Sequence, residues 1–234
     1  KNNNGSHTGA IFGVTNMINK LLNDFSPKYV CAVFDARGKN FRHRIYKEYK
    51  SNRKSMPTEL SEQVEPIFDF LKYMGIKIIQ HPDVEADDVI ASLVNKHSTN
   101  IQTFISSGDK DLAQLVNKNV SLMNSLDGKQ LDQDGVKKKF GVAPNQIKDY
   151  LTLVGDSSDN IPGVPKIGPK TAVNLLDKYL DLNSILENID ELKTNLRENL
   201  QNSLTTIKLA QELISLKSDI DLRSKIDDYL VSTP

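Results

Sequence analysis

The sequence predicts an α/β fold, in which a mostly parallel central sheet is flanked by helices, followed by an all-helical C-terminal module. Two observations predict this architecture. Short apolar runs alternate with amphipathic helical stretches in the first part of the chain, and such alternation is typical of parallel sheets. From residue 135 onward only helical periodicity remains. We therefore expect an α/β core at residues 1–134 and a helical module at residues 135–234.

The spacing of apolar residues predicts each element in turn. In the core, the predicted helices cover residues 10–25, 60–74, 84–94 and 109–115, and the predicted strands cover residues 29–34, 76–79, 102–106 and 120–123. A turn is expected at Asp127 and Gly128. In the helical module, the predicted helices cover residues 146–154, 170–179, 182–192 and 196–216.

Composition narrows the class of protein. Hydrophobic residues make up 38% of the chain and charged residues 26%, which is typical of a globular protein. No apolar run is long enough to cross a bilayer, so we expect no membrane association. The single cysteine, Cys31, lies in a predicted strand and excludes a disulfide framework, which favours a reducing, cytoplasmic setting.

Charge is balanced overall but unevenly distributed. The chain carries 30 basic and 30 acidic residues, yet residues 37–54 contain eight lysines and arginines and one acid, Glu48. Separate basic and acidic zones suit a protein that holds a polyanion beside metal ions. A solvated helix face is the alternative interpretation of the basic stretch.

Acidic clusters lie at the ends of apolar runs, and they are the main chemical signal in the sequence. Carboxylates repel one another, and hard divalent cations such as Mg²⁺ are the usual compensation. Helix capping explains one or two acids in each cluster, but not all of them together. Hydrolysis at phosphorus by two metal ions needs such a set. The acids are Asp35, Glu85, Asp87, Asp88, Asp109, Asp111, Asp156 and Asp159.

A second pattern, NIPGVPKIGPKTA at residues 160–172, lies between two predicted helices. Its glycines permit close backbone approach to a phosphate, and the helix that follows would supply free amides. Lys166 and Lys170 add positive charge without reading bases, so binding would be independent of sequence and sensitive to salt. A connector between two packed helices is the alternative.

Several of these motifs, taken in order, resemble one known family. VFDARGKNFR, YKSNR, VEADDVIA, GDKDLAQLV and GDSSDNIPGVPKIGPKTA resemble the 5′-nuclease domain of bacterial DNA polymerase I, within the flap endonuclease superfamily. The resemblance covers about residues 8–221. It implies a PIN/flap-nuclease-like core and a helix–three-turn–helix in the C-terminal module.

The resemblance also implies roles for individual positions. One metal cluster would be Asp35, Glu85, Asp87 and Asp88, and a second would be Asp109, Asp111, Asp156 and Asp159. Phosphate contacts near a basic helical arch at about residues 37–58 would be Arg42, Tyr49, Lys50 and Arg53. The duplex-gripping element would be Gly163, Val164, Lys166, Ile167, Gly168, Lys170 and Thr171.

The implied activity is Mg²⁺- or Mn²⁺-dependent hydrolysis of DNA at 5′ flaps and 5′ ends, in primer removal and DNA repair. The expected partner is DNA bound without sequence preference, with a potassium ion at the duplex-gripping loop. We expect a monomer in the bacterial cytoplasm, associated with the nucleoid. Whether the protein is a stand-alone nuclease or a polymerase domain stays open at this point.

One departure from the family keeps an alternative open. Family members begin with a further strand that carries a metal-ligating aspartate, and no such strand precedes Thr8 in this sequence. Either residues that belong before Lys1 are absent from it, or the chain is a catalytically impaired module that binds DNA junctions. A metal-dependent ribonuclease is a third hypothesis, against which the GVPKIG element argues, because it addresses a duplex backbone.

Overall fold

The computed structural model of the protein describes residues 5–124 and 128–231. The first part of the chain alternates helices and short strands, as the sequence predicts. In order, its elements are α1 (Gly9–Phe25), β1 (Cys31–Val33), α2 (Phe41–Ile45), α3 (Thr58–Ser61), α4 (Val64–Tyr73), β2 (Lys77–Ile79), α5 (Ala86–His97), β3 (Thr103–Ser106), β4 (Val120–Met123) and β5 (Gln130–Leu131). A 3-10 turn at Asp111–Leu115 stands where a helix was predicted over residues 109–115.

The strands form two hydrogen-bonded sheets, which corrects the expectation of one central sheet. Strand β1 pairs in parallel with β2, with Ala32 opposite Ile78. Strand β3 pairs in parallel with β4, with Ile105 opposite Leu122, and β4 pairs antiparallel with β5. Within the described ranges, no strand bridges β1 and β3. Strands β1 and β2 are connected through α2, α3 and α4, and β3 and β4 through the 3-10 turn, so the α/β class is confirmed.

The second part of the chain is helical. Its helices are α6 (Gln133–Phe140), α7 (Ile147–Val154), α8 (Pro169–Tyr179), α9 (Leu182–Glu187), α10 (Thr194–Asn202) and α11 (Leu204–Ile214), with 3-10 turns at Pro144–Gln146, Ile189–Glu191 and Ile226–Tyr229. Helix α6 was not predicted. Its N-cap, Asp132, accepts a hydrogen bond from the Gly135 amide, and Gly141 ends it at φ +80°.

Three predicted helices are each interrupted in the structure. Residues 60–74 divide into α3 and α4, and residues 196–216 divide into α10 and α11 at Ser203. The helix predicted over residues 182–192 ends at Glu187 and is followed by a 3-10 turn. Apolar residues continue across each break, so periodicity alone does not locate the breaks. The predicted turn at Asp127 lies outside the described residues, whereas Gly128 has φ +71°.

One hydrophobic core joins the two parts of the chain. Leu112 and Ala113, from the 3-10 turn after β3, belong to the same buried cluster as Leu151, Leu176 and Leu213 of the helical module. A second cluster, built on α1, α4 and residue 76, packs beneath β1 and β2. Within the described ranges, no helix is both long and apolar enough to cross a membrane.

The chain returns to the first part after α11. Residues 215–231, here called the C-terminal strap, run back along α5 and then reach the segment that precedes β1. The Val30 amide donates to the Tyr229 carbonyl at 2.7 Å, and the Val231 amide donates to the Lys28 carbonyl at 3.0 Å. The helical module is thus held at both of its ends by the α/β part.

Candidate active site

The fold brings most of the predicted acids together. Asp109 and Asp111 follow β3, Glu85 and Asp87 stand at the start of α5, and the loop after α7 supplies Asp156 and Asp159. Carboxylate oxygens of Asp111, Asp156 and Asp159 lie within 4.8 Å of one another. These three residues, here called the acidic triad, come from two distant segments that packing alone brings together.

Electrostatics connects the acidic triad with the acids of α5. Burial and the neighbouring Asp109, Asp156 and Asp159 raise the pKa of Asp111 to about 7. Burial, followed by Asp109, Asp111 and Glu85, raises the pKa of Asp87 to about 8. Each carboxylate is destabilised because the other charges lie close to it in a poorly solvated place. The acids at the start of α5 thus lie close to those of the second predicted cluster, and Glu85, Asp87, Asp109 and the acidic triad are here called the acidic site.

The donor set fits a hard divalent cation. The Oδ1 atom of Asp111 is buried and has no hydrogen-bond partner among the described residues. A buried carboxylate oxygen without a partner is costly unless a cation or water contacts it. All the converging ligands are carboxylates, which suits Mg²⁺ or Mn²⁺ rather than zinc, because zinc favours nitrogen and sulfur ligands.

Basic side chains surround the acidic site. Lys50 pairs with Glu85, and Arg53 pairs with Asp159. Lys110 Nζ lies 2.7 Å from Asp156 Oδ1. Sequence reasoning assigned no role to Lys110, although its position between Asp109 and Asp111 is a signal that could have been used.

Tyr49 is buried between the two groups of acids. Its hydroxyl donates to Glu85 Oε2 at 2.8 Å and lies 3.1 Å from Asp159 Oδ2. Burial and the charges of Glu85 and Asp159 raise its pKa well above the usual range, so the hydroxyl keeps its proton. The side chain is 3% exposed, which places it beside the carboxylates and away from open solvent.

Backbone contacts hold the segment of Lys50 and Arg53 against the loop of Asp159. The Lys50 amide donates to the Asp159 carbonyl at 3.0 Å, and Asn52 Nδ2 donates to the Ser157 carbonyl at 2.7 Å. Asn160 Nδ2 donates to the Glu48 carbonyl at 2.8 Å. The predicted phosphate contacts Lys50 and Arg53 are thus fixed at the edge of the acidic site.

Two predicted site residues, Arg42 and Asp88, face each other instead. Arg42 Nη1 donates to Asp88 Oδ2 at 2.6 Å, and Nη2 donates to Asp88 Oδ1 at 2.8 Å. Arg42 is 1% exposed and Asp88 is 0% exposed. Burial would raise the pKa of Asp88, but hydrogen bonds from Arg42 hold it below the ordinary value. Arg42 Nη1 also lies 3.3 Å from Glu85 Oε2, so in this structure the predicted phosphate contact and the predicted metal ligand are buried together beside the acidic site.

Asp35 and Asp109 lie at the exposed rim of the site. Asp35 Oδ1 accepts the Ala86 amide at 2.7 Å, at the start of α5. Asp109 Oδ1 accepts the Asp111 amide at 3.0 Å. Each carboxylate keeps its second oxygen available, so the capping role and a role toward an ion are compatible.

The glycine-rich loop is shaped by close backbone packing. A Cβ on Gly163 would lie 2.3 Å from the Val154 carbonyl carbon, so only glycine fits there. Val164 and Ile167 are buried in the core and anchor the loop, whereas Lys166 and Lys170 are exposed. Gly168 and Thr171 lie at the N-terminus of α8, and nothing lies within 4 Å of a Cβ built on Gly168. The loop therefore presents backbone and two lysines outward.

This geometry defines a class of protein, namely one that keeps divalent cations between carboxylates and holds a polyanion beside them. Family models match the whole chain. Residues 1–141 match a 5'-3' exonuclease, N-terminal resolvase-like domain, and residues 142–234 match a 5'-3' exonuclease, C-terminal SAM fold. The chain belongs to the 5′-3′ exonuclease family, as the motifs predicted.

Individual relatives agree with this assignment. The 5'-3' exonuclease of Buchnera aphidicola subsp. Baizongia pistaciae is 41% identical over 230 residues, which cover 95% of this chain and 76% of that protein. DNA polymerase I of Pseudomonas aeruginosa is 40% identical over 243 residues, 98% of this chain and 26% of that protein. The chain thus spans about a quarter of that polymerase.

A solved structure confirms the fold. The bacteriophage T5 flap endonuclease, crystallised as a pseudo-enzyme-product complex with DNA and metal ions, superposes with a TM-score of 0.75. The alignment covers 93% of this chain and 84% of that one, at 23% sequence identity.

Proposed function

We propose that this chain is a structure-specific 5′ nuclease that hydrolyses DNA phosphodiesters at 5′ flaps and 5′ ends with two divalent ions, Mg²⁺ or Mn²⁺. The observation that carries the proposal is the acidic triad with the unpartnered, buried Oδ1 of Asp111. Names of the relatives support it, since they are called 5'-3' exonuclease, DNA polymerase I and flap endonuclease. Primer removal and DNA repair in a bacterial cytoplasm, at the nucleoid, suit such an activity.

The acids divide between two ions in this proposal. One ion would be held by Asp109, Asp111, Asp156 and Asp159, and the other by Asp35, Glu85 and Asp87. Bound there, the ions would activate a water molecule and stabilise the leaving oxygen. Asp88 contributes indirectly, because its carboxylate accepts the Glu85 amide at 3.0 Å and so fixes the start of α5.

Lys50, Arg53 and Tyr49 are the groups that would orient the scissile phosphate. Lys50 and Arg53 already bridge Glu85 and Asp159, so a phosphodiester arriving between them would meet two charged donors. Tyr49 stays protonated and donates its one hydrogen to Glu85, so it would act indirectly, by fixing that carboxylate beside Lys50 without adding charge. Together these groups bind the anionic backbone and keep it against the carboxylates.

The duplex would be held by the helical module. Lys166, Lys170 and the amides at the start of α8 offer phosphate contacts that do not depend on base sequence. We place the nuclease core in residues 1–134, with an arch at about residues 37–58, and the grip in residues 135–234, which also supply Asp156 and Asp159 to the acidic site. A monomer would suffice, because one chain supplies both parts. A potassium ion at the loop of residues 163–168 would add a further contact between the protein and the DNA backbone.

A cleavage assay tests the proposal. The full-length protein is incubated with a labelled 5′-flap duplex, with and without Mg²⁺, beside Asp156→Asn and the control Asp177→Asn. Asp177 is exposed on α8 and away from the acidic site. We expect Mg²⁺-dependent cleavage that falls by about 100-fold or more in Asp156→Asn, while duplex binding is retained.

The alternative, a junction-binding module without catalysis, gives a different result. Tight binding of the flap duplex by the full-length protein, with no cleavage in Mg²⁺ or Mn²⁺, would establish that alternative. An equal loss of activity in Asp177→Asn would show that the effect of Asp156→Asn is not specific to the acidic site.

A further inference from the structure

The Arg42 guanidinium lies where α2, α5 and the end of α11 meet. Besides its two bonds to Asp88, Nε donates to the Leu213 carbonyl at 2.7 Å and Nη2 donates to the Ser215 carbonyl at 2.9 Å. Asp88 in turn accepts the Lys217 amide at 2.9 Å. One buried ion pair therefore ties α2 to α5 and to the point where the helical module ends.

The C-terminal strap extends this attachment along one face of α5. Ser92 Oγ accepts the Ile220 amide at 3.2 Å, and Asn95 Nδ2 donates to the Ser218 carbonyl at 2.9 Å. Lys96 Nζ donates to the Ser224 carbonyl at 2.7 Å. With Asp88, these side chains recur at helical spacing, so α5 carries a row of contacts that hold the strap.

The same helix presents the acids at its N-terminus. Glu85 and Asp87 stand one turn from the strap contacts, so any shift of the strap relative to α5 moves these two acids relative to Asp156 and Asp159 of the helical module. A bidentate pair between a planar guanidinium and a carboxylate fixes direction as well as distance. The pair is therefore suited to setting a register between the two functional parts of the chain.

We infer that Arg42 is a positioning residue: acting through Asp88, it fixes the acids at the start of α5 relative to the helical module, and so selects which phosphodiester is cut. This inference rests on the proposed nuclease function. It assigns no contact with substrate to Arg42, because the side chain is 1% exposed and its donors are directed at protein acceptors.

The test compares Arg42→Lys with a matched control, Arg197→Lys, whose ion pair with Asp190 lies on the helical module at 3.8 Å. Lysine keeps the charge but cannot bond two carboxylate oxygens and two carbonyls at once. End-labelled 5′-flap duplex is cut under single-turnover conditions, and the rate and the position of each cut are read on a sequencing gel. Duplex affinity is measured in parallel with Ca²⁺ in place of Mg²⁺.

We expect Arg42→Lys to bind the duplex within about 2-fold of the parent but to cut about 10-fold more slowly, at several neighbouring phosphodiesters. Arg197→Lys should keep the parental rate and the parental cut position. Parental rate and cut position in a folded Arg42→Lys would overturn the inference, because a simple charge contact survives in lysine.

A second variant keeps the inference testable if Arg42→Lys does not fold. Ser92→Ala removes two strap contacts, with the Ile220 amide and the Lys217 carbonyl, and leaves the buried ion pair in place. We expect the same broadening of cut positions, to a smaller extent. If Arg42→Lys does not fold and Ser92→Ala cuts as the parent does, the inference is wrong. Absence of cleavage in the parent protein is a separate outcome, which would contradict the proposed function.

Discussion

Replacing Asp111 by asparagine should make the metal-free protein more stable at alkaline pH. The pKa of Asp111 is raised from its ordinary value of 3.8 to about 7 by burial and by Asp109, Asp156 and Asp159. The native state therefore binds a proton more tightly than the unfolded state does. Stability contributed by this proton is present below about pH 4 and is lost as pH rises through about 7.

The size of the effect follows from the pKa shift. A change from 3.8 to about 7 corresponds to about 4 kcal/mol of unfolding free energy above pH 7. Neighbouring carboxylates share protons, so removing one charge relieves only part of the repulsion. We expect Asp111→Asn to raise the unfolding free energy by about 2 kcal/mol at about pH 8.5, and by less than about 1 kcal/mol at about pH 5.

Urea unfolding in EDTA at both pH values measures the difference, with Asp177→Asn as the control. A second series in Mn²⁺ should reverse the order, because the parent gains stability by binding the ion and Asp111→Asn loses a ligand. If Asp111→Asn in EDTA at about pH 8.5 is no more stable than the parent, the electrostatic account of the acidic site is incorrect.

Two further predictions concern the glycine-rich loop and Lys110, the lysine that pairs with Asp156. Gly163→Ala should destabilise the protein by about 2 kcal/mol or more, because the added Cβ meets the Val154 carbonyl. Gly168→Ala should cost less than about 1 kcal/mol, because nothing lies near a Cβ at that position. Thermal melts of both variants measure the difference. Lys110→Met should lower the melting temperature in EDTA and enlarge the rise caused by Mn²⁺, because Asp156 loses its cation; an unchanged metal response would contradict this.

Elements with their own apolar periodicity could be predicted from the sequence. Strand β4 has the predicted bounds, and α7 begins one residue after the predicted start. Helix α6 could not be predicted this way, because Val136 is its only buried residue and three consecutive lysines hide the pattern. Strand β5 has two residues and is defined by its pairing with β4, a contact that no local pattern records.

The residues of the acidic site could be named from the sequence, but their division of labour could not. Carboxylates after strands are visible in any single chain, and family motifs assign them together. The buried pairing of Asp88 depends on Arg42, 46 residues earlier, and Arg42 in turn is held by Leu213, a further 171 residues after Arg42. Contacts between residues so distant in sequence depend on tertiary packing, so the local sequence pattern does not predict them.

The C-terminal strap also has a consequence for synthesis of the protein. At about 5–20 residues per second, a ribosome needs on the order of 10–30 s to make the 171 residues that separate Arg42 from its acceptor on Leu213. During that interval the face of α5 that holds the strap has no strap to bind. Such non-local closure is slow to form, so the nascent α/β part reaches its final packing only after residue 231 has left the ribosome.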